Sequence, residues 1–126
     1  MALSQTMRSR TKSILVVEDH NDLLGIITII ISQQGWSVVG AHNGQDALGI
    51  FEAGKFSLAL VDVDLKNEMD GIEVAKRLLH LEPSLRIVMM SGTREDNQRL
   101  KEAKVGEFLS KPFEPPKLIA LLQSVS

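Results

Sequence analysis

Aliphatic runs recur along the chain, and helically spaced apolar positions fill the gaps between them. Ile14-Leu15-Val16-Val17 and Leu58-Ala59-Leu60-Val61 carry no polar alternation, the pattern of strands buried on both faces of a parallel sheet. Trp36 to Ala41, Leu85 to Met90 and Gly106 to Ser110 predict three further strands. Between them, Leu23 to Gln34 predicts a helix whose core stripe is Leu23, Leu24, Ile26, Ile27, Ile30 and Ile31, with Ile29 outside it. Asp19 or Asn21 is its expected cap and Gly35 its stop. A short helix near Gln45 to Ala53 follows the Asn43-Gly44 turn. Another runs from about Gly71 to His80, capped by Asp70 and ended before Pro83. Arg94 to Lys104 is polar, with Leu100 and Ala103 as its main apolar residues, and is expected to be a weakly anchored helix. A last helix starts near Pro116, with Leu118, Ile119, Leu121, Leu122 and Val125 on one face. Strict strand–helix alternation predicts an α/β fold, a parallel sheet covered on both faces.

The strand ends hold the chemistry. The first run stops at Glu18-Asp19, the third at Asp62-Val63-Asp64, the fourth at Ser91 and the fifth just before Lys111. A carboxylate is costly inside an apolar strand, but at its C-terminal end it faces the crevice where open α/β sheets bind ligands. Taken singly, each residue has an ordinary explanation. Asp19 can cap a helix and Ser91 can make a turn. Asp62 and Asp64 come too early to cap the helix at Ile72, which favours a site for them. Carboxylates held together must take up a proton or a cation. With oxygen ligands alone, Mg²⁺ is the natural guest. A carboxylate so neutralised can attack a phosphoryl group, and Lys111 and Ser91 are the group types that would hold its oxygens.

Composition narrows the choices. The 126 residues suit one domain, and a hydrophobic share of 44% is enough for a core. Residues 1–12 are expected to be a disordered tail before a domain spanning 13–126. Formal net charge is −2, which gives no footprint for nucleic acid. There is no cysteine, so thiolate sites are excluded. No apolar stretch is long enough to span a membrane and no leader segment is evident, so a cytoplasmic location is expected.

The ordered set Ile14-Leu15-Val16-Val17-Glu18-Asp19, Leu60-Val61-Asp62, Met69-Asp70-Gly71, Val88-Met89-Met90-Ser91-Gly92 and Phe108-Leu109-Ser110-Lys111-Pro112-Phe113 resembles the receiver domain of two-component response regulators. The likeness covers about Lys12 to Ser124. It implies a flavodoxin-like (βα)₅ fold with strand order 2-1-3-4-5. It also implies Mg²⁺-dependent phosphoryl transfer onto Asp62 from a histidine kinase or phosphotransfer protein. The same likeness makes Glu18, Asp19, Asp62 and the Asp64 backbone carbonyl the metal site. Lys111 becomes the partner of the acyl phosphate, joined to Pro112 by a cis bond. Ser91 and Phe108 become switch residues. Output would pass through the surface formed by the fourth helix, fifth strand and fifth helix, to a protein partner or a second copy of the chain. Four positions depart from the family pattern. Glu18 replaces the commoner Asp, Lys66 the usual Pro, and Lys104-Val105 the usual Gly-Ala; the loop from Asp62 to Gly71 is one residue longer. The alternative is a phosphatase of haloacid-dehalogenase type, which Asp62-Val63-Asp64 also resembles. A nucleotide-binding module is a third reading, without a Gly-rich phosphate loop to support it.

Overall fold

The computed structural model describes residues 13–66, 69–105 and 107–125. The expected tail, residues 1–12, lies outside the described residues, as do Asn67, Glu68 and Gly106. The elements alternate as β1 (Ser13–Val17), α1 (Asn21–Gln33), β2 (Ser37–Ala41), α2 (Gly44–Ile50), β3 (Phe56–Asp62), α3 (Gly71–Leu81), β4 (Ile87–Ser91), α4 (Arg94–Ala103), β5 (Glu107–Ser110) and α5 (Pro115–Gln123). All four strand pairings are parallel, in the order β2-β1-β3-β4-β5. This is the doubly wound order expected from the family likeness.

Side chains alternate across a strand, and that parity splits the core in two. Leu15, Val17, Ala59, Val61, Ile87 and Met89 join Ala47, Val74, Leu78 and Leu100 on the face covered by α2, α3 and α4. Ile14, Val16, Leu58, Leu60, Val88 and Met90 join Ile27, Ile31, Leu118 and Leu122 on the face covered by α1 and α5. The central strands β1, β3 and β4 are buried on both faces, which is why their sequences are continuous aliphatic runs instead of alternating ones.

Local signals explain most helix ends. Asn43, Asp70 and Thr93 each accept a hydrogen bond from the backbone N–H three residues on, filling one orphan donor apiece. Gly35 sits at φ 91° just after α1, a left-handed position that suits glycine. Two expectations for α1 need correction. Its cap is neither Asp19 nor Asn21 but His20, whose Nδ1 accepts from the Leu23 N–H at 3.3 Å. Ile26 is exposed at 55%, like Ile29 at 59%. At about 100° per residue it lies at the margin of the stripe centred on Ile27.

Candidate functional site

Parity also decides which strand-end residues meet. Glu18 continues the Ile14–Val16 row, and Asp62 continues the Leu58–Leu60 row, so both lie on the α1/α5 side of the sheet edge. Glu18 is 1% exposed and Asp62 4%. Lys111 follows the end of β5 and reaches both: its Nζ lies 2.8 Å from Glu18 Oε1 and 3.1 Å from Asp62 Oδ2. A backbone bond from the Lys111 N–H to the Ser91 carbonyl, 2.7 Å, fixes where that side chain starts. The Lys111–Pro112 bond is cis, as the family likeness implies.

Each acidic side chain is also held by a backbone amide. The His20 N–H donates to Glu18 Oε2 (3.1 Å), the Asp64 N–H to Asp62 Oδ1 (3.2 Å) and the Lys66 N–H to Asp19 Oδ2 (3.3 Å). Ligand oxygens of Glu18, Asp19 and Asp62 all lie within 4.8 Å of one another. A donor set of carboxylate oxygens suits a hard divalent cation. Three acids against one ammonium leave charge for such an ion to neutralise. The pocket over them, about 360 Å³, is also lined by Asp64, Lys66, Thr93 and Asp96.

Asp62 feels the crowding. Burial first, then the neighbouring Glu18 carboxylate, raise its pKa from 3.8 to about 7, against the lowering pull of Lys111. The Lys111 pKa is raised too: burial opposes this, but the hydrogen bonds and charges of Glu18 and Asp62 outweigh it. The folded chain thus holds a proton on Asp62 more tightly than the unfolded chain does. The stability this lends is fully present below about pH 4 and is lost as pH rises through about 7. In EDTA, Asp62→Asn is expected to gain on the parent chain by about 1–3 kcal/mol between about pH 4 and 7.5, read from urea midpoints. A pH-independent difference would contradict this account of the site.

Ser91 is not brought to the carboxylates. It continues the Ile87–Met89 row and therefore faces α4, 2% exposed. Its hydroxyl donates to Asn97 Oδ1 and lies 3.4 Å from the Thr93 carbonyl. Phe108, in register with Met89, stands on the same side and is 39% exposed. Asp64 is exposed. Sequence reasoning missed three participants: His20, whose amide holds Glu18 while its ring caps α1, the Lys66 amide, and Asn97. Only the Lys66 amide had a signal, since the proline usual there could not donate.

A family model described as "Response regulator receiver domain" matches residues 14–123. The chain belongs to the response regulator receiver family. Phosphorylation of an aspartate is the general function of these receivers, and they generally bind Mg²⁺ in an acidic pocket. The receiver is 36% identical over 107 residues to the response regulator receiver protein CpdR of Brucella abortus, covering 81% of this chain and 86% of that one. It is 28% identical over 118 residues to the chemotaxis protein CheY of Thermotoga maritima, covering 91% and 98%. Among solved structures, the receiver domain of NtrX from Brucella abortus superposes with a TM-score of 0.80 at 26% identity, covering 88% and 95%. Membership displaces the haloacid-dehalogenase and nucleotide-binding alternatives. Among the described residues no helix is long and apolar enough to cross a membrane.

Proposed function

We propose that this receiver takes its phosphoryl group on Asp62, from a histidine kinase or histidine phosphotransfer protein, with Mg²⁺ held by Glu18, Asp19, Asp62 and the Asp64 carbonyl. The observation that carries the reading is the single ammonium of Lys111 touching both buried acids at one sheet edge. The deprotonated carboxylate of Asp62 attacks phosphorus, an O–P bond forms, the N–P bond of the donor breaks with its electron pair staying on nitrogen, and the ring leaves as neutral imidazole carrying one proton. Burial and the amide of Asp64 hold Asp62 for that approach. Lys111 then holds an oxygen of the transferred group. The ion, when bound, offsets the charge of the acids and of the phosphoryl oxygens. Ser91 turns its hydroxyl to the phosphoryl group once it is in place.

Removing the metal tests the cofactor assignment. Millimolar Mg²⁺ is expected to shift amide NMR signals around Asp19 and Asp62, and EDTA to stop labelling by acetyl phosphate. Labelling indifferent to EDTA, with no shifted signals, would overturn it. Trp36 is a poor reporter, because it precedes β2 at the opposite edge of the sheet.

The output surface of α4, β5 and α5 is proposed to bind a downstream protein or a second copy of the chain on phosphorylation. Its support is the thin anchoring of α4, where Leu100 is the buried residue, and the exposed ring of Phe108 beside it. Hydrogen exchange with and without beryllofluoride is expected to change within Ser91 to Gln123; unchanged exchange throughout that span would count against it.

A further inference from the structure

Few groups hold α4 to the sheet. Leu100 is buried and Ala103 packs partly against the same layer; among the polar side chains of the described residues, Arg99 pairs with Asp70 at the start of α3 and with Asp96 of its own helix. Asn97 is the other, and it alone of these holds the hydroxyl of Ser91. That hydroxyl is buried and has one proton to give. It cannot donate to Asn97 and to a phosphoryl oxygen at once. Its other neighbour, the Thr93 carbonyl at 3.4 Å, is beyond the usual range for a hydroxyl donor and does not hold it alone.

We propose that Asn97 is a positioning residue for phosphoryl uptake. Its side-chain oxygen holds the Ser91 hydroxyl in the resting direction, toward α4, and so sets what fraction of the receiver is ready to complete the phosphorylated site. The inference rests on Ser91 being the group that contacts the phosphoryl oxygens. Apparent affinity for a phosphoryl mimic scales with the ready fraction. Loss of one net hydrogen bond corresponds to about a five-fold change in that equilibrium.

The test is a beryllofluoride titration of the full chain with Mg²⁺ present, read from amide NMR signals around Asp62. Asn97→Leu removes the acceptor at a half-buried helical position that tolerates leucine, and is expected to lower the midpoint about five-fold. Asn97→Asp keeps an acceptor and is expected to return the parent midpoint. Arg99→Gln loosens α4 without touching Ser91 and is expected to leave the midpoint within about two-fold, the size of a weak surface pair. In a Ser91→Ala background, Asn97→Leu is expected to do nothing. An unchanged midpoint in Asn97→Leu overturns the proposal. So does an equal shift in Arg99→Gln, or one that survives Ser91→Ala, because Asn97 would then act only as helix packing. A parent chain with no saturable response defeats the phosphoacceptor reading itself, and this proposal with it. A responsive parent with an unresponsive Asn97→Leu defeats this proposal alone.

Discussion

Asp62→Asn is expected to take up no phosphoryl group from acetyl phosphate, while Asp64→Asn still takes up one per chain and keeps it for a different time. The two acids stand two residues apart, and composition cannot separate them. Their surroundings do. Asp62 closes β3 between β1 and β4, 4% exposed, with Oδ1 on the Asp64 amide and Oδ2 against Lys111. Asparagine keeps that shape but offers no anionic oxygen to attack with, so labelling falls to background instead of merely slowing. Asp64 is exposed, and its contact with Asp62 is made by its backbone N–H, which asparagine leaves intact. Intact-mass measurement checks both variants. A phosphoryl group on Asp64 in Asp62→Asn would show that the acceptor is misassigned.

Gly71→Ala is expected to destabilise the chain by about 3 kcal/mol or more. A Cβ at Gly71 would lie 1.8 Å from the Asp62 carbonyl oxygen and 2.8 Å from the Val63 Cα. These are backbone atoms of the acceptor strand and the residue after it, which cannot move aside as a side chain can. They are also tied in place, since the Gly71 N–H donates to the Val63 carbonyl and the Val63 N–H to the Met90 carbonyl, both at 3.0 Å. Gly25 and Gly49, within α1 and α2, have nothing near a new Cβ. Alanine there should instead stabilise by about 0.5–1 kcal/mol. Urea midpoints for the three variants make the comparison. A Gly71→Ala chain as stable as the parent would mean that the return of the acceptor loop is not the tight contact described.

The central strands β1, β3 and β4 were legible because they are buried on both faces, which leaves continuous aliphatic runs, whereas the edge strands β2 and β5 are largely exposed or half-buried and carry a weaker pattern. Asp62, Glu18 and Lys111 were legible for the related reason that a charge at the end of such a run needs a purpose. Strand parity was the part not drawn from the sequence. Four strand ends suggest one cluster, yet Ser91 is one residue out of phase with Asp62 and belongs to the opposite layer. Contacts through the backbone or between elements also leave little trace. Nothing in the run Glu95-Asp96-Asn97-Gln98 marks Asn97 as the one that meets Ser91, because the signal is the position of α4 over β4. His20 as a cap is hidden similarly, since Asn21 beside it is the better cap by type. Ile26 fell at the edge of a broad stripe, where period alone cannot tell core from surface.

Glu18 and Lys111 are 93 residues apart along the chain, and this separation gives the site a birth order. A chain is made from its N-terminus at a finite rate, so the three acids emerge well before the ammonium that bridges two of them. Until β5 has paired with β4, Glu18 and Asp62 lack the ammonium that bridges them. The carboxylate cluster is therefore assembled from the two ends of the sequence and is completed only by the last strand of the sheet.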